Sequence, residues 1–217
     1  VTLHFTGIGS LKPLSVHVPA APNDCGLAVG GIWSLFPPHV HQPLQYLGFN
    51  LWDKRKLDDV GRSRQALYLH PRISAAYLAG LLAGRNSSSN RKPIIAVVRG
   101  RQEFGPRALG HRSLLAVPDS NEMRERLNQL KVRKWYRPVA PMIANEDLVK
   151  VFGRNVPSPY MTMAPLVLRR IRERFPAIAH VDGTARHQSV GAEDEPWLHS
   201  LLLAVGKKTG LACLINT

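Results

Sequence analysis

The apolar, β-branched run Pro93-Ile-Ile-Ala-Val-Val98 leads almost directly into Gly100-Arg-Gln-Glu-Phe-Gly-Pro-Arg-Ala-Leu-Gly-His-Arg-Ser113. This junction constrains the fold more than any other stretch of the chain. The first part reads as a buried strand. The second holds three glycines, one proline and the arginines Arg101, Arg107 and Arg112. Glycines at a strand end let the backbone approach a ligand closely. Pro106 suits the first turn of a short helix, whose N-terminal amides favour anions. Arginine grips phosphate or carboxylate at two points. The stretch therefore predicts an anion site at the carboxyl end of a strand, although a surface turn with solvated arginines has the same composition.

The remaining composition narrows the possibilities. With 44% apolar residues in 217, the chain can bury a real core. Its net charge of +14 invites anionic partners, nucleic acid or a small phosphorylated substrate. The basic residues do not form one run. They gather in short motifs separated by core sequence, which favours a focused pocket over a nucleic-acid stripe. Two distant cysteines, Cys25 and Cys213, give neither a disulfide framework nor metal-ligand spacing. The longest strongly apolar segment, residues 75–83, is too short to cross a bilayer, and a cytoplasmic location is expected. Opening on Val1 and stopping at Thr217 after an apolar run, the chain is expected to be a fragment.

Along the chain, Asn23 or Asp24 is placed to cap a helix running to Phe36, and residues 37–65 read as a surface connector. A helix is expected over Arg72–Gly84, with Gly84 as its stop, and a polar loop over Asn86–Asn90. Leu114–Val117 predicts a strand. Asn121–Leu130 predicts a helix capped by Asp119 or Ser120, with Met123, Leu127 and Leu130 on one face. Pro138 and Pro141 demote Val139–Ile143 to an edge or irregular strand. Pro159–Leu168 reads as extended and Arg169–Arg174 as a charged connector. Asp182-Gly183 predicts a hairpin between 177–181 and 184–190. Trp197–Val205 predicts a packed helix stopped by Gly210, followed by a last strand over 211–215. Short helices among isolated strands give an α/β or α+β domain with a mixed sheet.

Two further motifs share the chemistry of the first. Lys131-Val-Arg-Lys-Trp-Tyr-Arg137-Pro138 follows the helix over 121–130, where a cation suits the helix dipole without any ligand. In His180-Val-Asp-Gly-Thr-Ala-Arg186-His-Gln188, the residues Thr184, Arg186 and Gln188 alternate onto one strand face. That row suits a polar ligand and equally suits solvent.

The three motifs together, with Leu127-Asn128, Ala140-Pro141, Ser158-Pro-Tyr-Met161 and Leu214-Ile-Asn-Thr217, resemble the C-terminal domain of the NodU/CmcH carbamoyltransferases from about residue 66 onward. Pro22-Asn-Asp-Cys-Gly-Leu-Ala-Val-Gly30 is similar to the end of that family's N-terminal domain. The resemblance implies a YrdC-like mixed twisted sheet with flanking helices over 61–217. It would be preceded at 1–60 by the C-terminal piece of an actin/sugar-kinase-like domain. It implies an O-carbamoyltransferase that converts carbamoyl phosphate and ATP to carbamoyl adenylate and passes the carbamoyl group to a hydroxyl of a small-molecule acceptor. Carried over motif by motif, Arg107, Lys131, Arg137 and Arg186 would bind carbamoyl phosphate. Arg101, Arg112, His180 and Asp182 are the candidates on the ATP side, the last two without an assigned chemical step. Asp24 would be one ligand of a divalent metal, iron or magnesium, whose paired histidines would precede Val1. Lys134 departs from the family, which has glutamate there. A tRNA-directed nucleic-acid-binding module and an inactive remnant are the alternative readings; no membrane partner is implied.

Overall fold

The computed structural model describes residues 2–5, 14–40, 43–51, 53, 55–56, 59, 73–84 and 91–217. Its centre is a five-stranded sheet: β3 (Ile95–Val98), β4 (Arg112–Ala116), β5 (Ala140–Ala144), β6 (Gln188–Val190) and β7 (Cys213–Asn216), in the order β3-β4-β7-β5-β6. All neighbours are antiparallel except β5 and β6, so the sheet is mixed. A separate antiparallel pair, β1 (Thr2–Phe5) and β2 (Leu14–His17), precedes helix α1 (Cys25–Leu35).

The central strands are apolar on both faces because both faces are covered. Successive side chains of a strand point to opposite sides. Leu115, Met142, Ala144 and Leu214 enter one core with α2 (Ala75–Leu82) and α6 (Pro196–Thr209). Their neighbours Ala116, Ile143, Cys213 and Ile215 enter the other, against α3 (Asn121–Leu130), α4 (Leu148–Phe152) and α5 (Arg169–Arg174). Ser120 caps α3, its hydroxyl accepting from the Met123 N–H at 3.2 Å. Ser74 does the same for α2, through the Tyr77 N–H at 3.1 Å. Gly210 ends α6 at φ +86°, a left-handed turn that glycine takes without strain.

Several sequence-based expectations need correction. Val139–Ile143 is no edge: β5 lies between β7 and β6. Pro141 is tolerated there for a geometric reason. The Ala144 N–H donates to Ala212 on the β7 side, so by alternation the Pro141 nitrogen faces β6, whose pairing starts only at Met142. Pro106 opens no helix, because residues 104–107 form successive bends. Arg169–Arg174 is a helix, not a connector, and it buries Ile171. The Asp182-Gly183 turn is present, closed by His180 and Thr184, but its arms form no hairpin. Thr184 and His187 bridge instead to Leu166 and Met163, and β6 runs parallel to β5. The connector at 45–51 pairs with the central motif: Gly48 donates to Gln102, Gln102 to Phe49, Leu51 to Gly100 and Phe104 to Gln45. The loop expected over Asn86–Asn90 lies outside the described residues.

None of the side chains of α1 is buried, and Leu27, Leu35 and Phe36 are exposed apolar groups. Among the described residues, no helix is long and apolar enough to cross a membrane.

Candidate anion-binding site

The chain leaves β3 at Val98 and enters β4 at Arg112. At that end of the sheet β5 also begins, β7 ends and β6 is about to start, so the three basic motifs arrive in one region. The first and third of them line a cavity of about 300 Å³. Arg107, Arg186, Tyr160 and Thr162 supply its polar side, Phe104, Leu109 and Met161 its apolar side, and residues 21–23 one rim. Among the described residues that line it there is no carboxylate.

The backbone around Arg107 is held tightly. Glu103 is buried and its Oε1 accepts from the N–H groups of Leu109, His111 and Arg112 at 2.8–3.0 Å. Burial opposes the charge of this carboxylate, but the backbone donors Arg112, Leu109 and His111 outweigh it and hold the pKa below the usual carboxylate range. Gly110 stands at φ +111°, and a Cβ there would meet Leu198 Cδ2 at 2.7 Å. The His111 ring stacks on Tyr46 at 3.6 Å, places Nδ1 2.6 Å from the Arg101 carbonyl and Nε2 2.8 Å from Glu195. Arg99 donates to the other Glu195 oxygen at 2.5 Å. The loop is thereby tied to the start of α6.

The cations are coupled. Burial, then the charges of Arg107 and Arg133, lower the Arg186 pKa. Burial and then Arg137 lower that of Arg133. Arg186 Nε is buried without a hydrogen-bond partner. Guanidinium stays protonated at neutral pH, so these shifts record like charges held together in a partly dry place.

Arg107, Arg186 and Arg137 thus belong to one group, linked through Arg133. Arg133 was not among the residues the sequence singled out. Its position inside Lys131–Arg137 was the available signal, but nothing in its spacing separates it from its neighbours. Its guanidinium reaches Thr217 Oγ1 at 3.2 Å and the Pro138 carbonyl at 3.4 Å. Asn128 staples the loop by donating to the carbonyls of Trp135 and Arg137. Lys131 ends α3, exposed, and is not among the charges acting on Arg186 or Arg133.

The other candidates are placed as follows. Arg101 donates to the carbonyls of Gly48 and Leu47, and Arg112 Nε to Glu103 Oε2. Neither lines the cavity. Thr184 Oγ1 donates to Asp182 at 2.7 Å, so it accepts from His180 Nδ1 at 3.0 Å. The His180 Nε2 lone pair then faces the Arg186 N–H at 3.5 Å. Burial, opposed by Asp182 and reinforced by Arg186, lowers the His180 pKa and keeps this ring neutral. The row of Thr184, Arg186 and Gln188 is not a solvated face: Thr184 and Arg186 are half-buried, and Gln188 is buried and donates to the Leu109 carbonyl.

Asp24 is exposed at the start of α1, its side chain capping nothing. Among the described residues no group of three or more His, Cys, Asp or Glu could hold a metal. A lone exposed carboxylate does not by itself fit a divalent-metal site.

A mixed sheet between two helical layers, with an arginine-lined cavity at one end, defines an α/β domain. Residues 88–217 match the family described as Carbamoyltransferase C-terminus. The chain is 38% identical over 206 residues to a 3'-hydroxymethylcephem-O-carbamoyltransferase of Streptomyces clavuligerus, covering 94% of this chain and 37% of that protein. It is 34% identical over 203 residues to nodulation protein U of Rhizobium tropici, covering 94% and 33%. The chain belongs to the carbamoyltransferase C-terminus family. It spans about a third of the length of the curated relatives it matches.

Proposed function

We propose that this chain is the carbamoyl-phosphate-handling part of an O-carbamoyltransferase. The observation that carries the reading is the cavity shared by Arg107 and Arg186, backed by Arg133 and Arg137 and without a carboxylate among its described lining residues. Fixed cations offset the charge of a phosphoryl dianion and stabilise phosphate as it departs. The cavity of about 300 Å³ suits a ligand of that size. Its apolar wall strengthens each ion pair by excluding water.

In this reading carbamoyl phosphate loses its phosphate to water and leaves carbamate, whose oxygen attacks the α-phosphorus of ATP and expels pyrophosphate to give carbamoyl adenylate. A hydroxyl of a small-molecule acceptor then takes the carbamoyl group and releases AMP. The family's description and the name of the Streptomyces clavuligerus relative support carbamoyl transfer, in that relative to a hydroxymethylcephem. Arg101, Arg112, His180 and Asp182 are proposed for the ATP side. His180 acts through the backbone of Arg186, and Asp182 through Thr184.

The test is carbamoyl-phosphate-dependent release of pyrophosphate from ATP by the full-length protein. Arg107→Ala and Arg186→Ala abolish it with the fold intact. Normal turnover in either variant refutes the assignment.

A further inference from the structure

Arg107 is carried on a loop whose return to the sheet converges on one side chain. Glu103 Oε1 takes three backbone N–H donors, those of Leu109, His111 and Arg112, and Oε2 takes Arg112 Nε at 3.2 Å. The carboxylate is fully buried. The carbonyls of the same loop are claimed from the opposite side. Asn216 Nδ2 donates to Ala108 at 2.7 Å, and the Tyr46 hydroxyl and Gln188 Nε2 each donate to Leu109 at 2.9 Å. Upstream of Arg107, the Phe104 N–H donates to the Gln45 carbonyl at 2.8 Å.

We propose that Glu103 is a positioning residue for phosphoryl-anion binding: its buried carboxylate fixes the loop that aims Arg107 into the cavity. This rests on the reading of that cavity as the carbamoyl phosphate site. The physical coupling is direct. A buried carboxylate is tolerated only where donors satisfy it, and here most of its donors are the loop's own backbone. Loop shape and carboxylate charge therefore stand or fall together. Arg107 has a long, flexible side chain, so its aim depends on where its Cα is held. An error of about 1 Å in placing a binding group costs on the order of 10²-fold in rate. Glu103 does not line the cavity.

The discriminating experiment is a double-mutant cycle in the full-length protein with wild type, Glu103→Gln, Arg107→Ala and the double variant. Carbamoyl phosphate affinity is read by calorimetry and the unliganded melting temperature by scanning. Glutamine keeps an acceptor for the backbone donors but loses the charge and sets an amide against Arg112 Nε. Glu103→Gln weakens carbamoyl phosphate roughly tenfold when Arg107 is present and less than about twofold when it is absent, a coupling within the range for residues that act as a unit. Its effect on the melting temperature is the same in both backgrounds. Equal losses of affinity in the two backgrounds, or none in either, overturn the positioning role. If Glu103→Gln yields no folded protein, Glu103→Asp, which keeps the charge but shortens the reach, is read in the same way. A wild-type protein with no affinity for carbamoyl phosphate overturns the functional reading and this proposal together. Wild-type binding with an uncoupled cycle overturns this proposal alone.

Discussion

Arg107 and Arg186 line one cavity, and the charge of Arg107 is one of the causes that push the Arg186 guanidinium below its ordinary pKa. Folding brings these like charges together without a compensating carboxylate among the described lining residues. Such an arrangement costs the fold some stability, and on the proposed reading it is kept for the anion.

The first prediction separates the two roles. Arg107→Gln removes repulsion and a ligand contact at once. Arg107 is exposed, so after solvent screening the repulsion is worth about 0–1 kcal/mol. The unliganded variant melts at the wild-type temperature or up to about 4 °C above it. The stabilisation that saturating carbamoyl phosphate gives the wild type disappears. Paired melting scans with and without ligand check this.

Glu103 sets an acid limit. Its folded pKa is depressed, so its contribution is complete above the unfolded value of about 4.3 and is lost as pH falls through the lower folded value. Glu195 follows the same sign, its burial outweighed by the hydrogen bonds from His111 and Arg99. Denaturant unfolding between pH 5 and pH 3 shows a steep fall in stability, and Glu103→Gln flattens it.

His180 and His187 have depressed pKa values, in both cases chiefly through burial. A depressed histidine contributes fully above its unfolded value of about 6.5, and stability is lost as pH drops through the folded value. His187→Gln, in a site where the ring donates to the Val156 carbonyl at 2.8 Å, reduces the slope of melting temperature against pH below about 6.5.

Gly110→Ala strains the loop from two directions: its φ is +111°, and the new methyl meets Leu198 at 2.7 Å. A loss of about 1–3 kcal/mol is expected from the backbone conformation, with overpacking of a similar size added. Chemical denaturation at neutral pH measures it, and the loss is absent in Gly30→Ala, where a Cβ meets nothing within 4 Å.

Much of this architecture was legible because local signals and packing agree. Helix α3 runs over Asn121–Leu130 as expected, since Ser120 supplies the cap and Met123 and Leu127 the buried face. The stop at Gly210 followed from the same logic. Failures came where tertiary pairing overrode a local rule. Pro141 reads as an edge signal, yet its nitrogen falls on the one side where the ladder has not begun. Asp182-Gly183 makes its turn, but Leu166 and Met163 pair with the chain that should have closed the hairpin. Arg169–Arg174 carries a single buried apolar residue, Ile171, too little to display a helical period. At the site, Arg107, Arg137 and Arg186 were legible through their motifs' resemblance to the carbamoyltransferase family, since each motif by itself reads equally as a solvated turn or helix end. Arg133 did not, because burial and proximity to Arg186 are properties of the folded chain.

The account turns on whether these arginines hold one phosphorylated metabolite, and calorimetric titration of the full-length protein with carbamoyl phosphate asks this directly. The predicted result is saturable binding that Arg186→Ala and Arg107→Ala each weaken by roughly 10- to 100-fold, the size of one charge-assisted contact. Binding of undiminished affinity in both variants would contradict it.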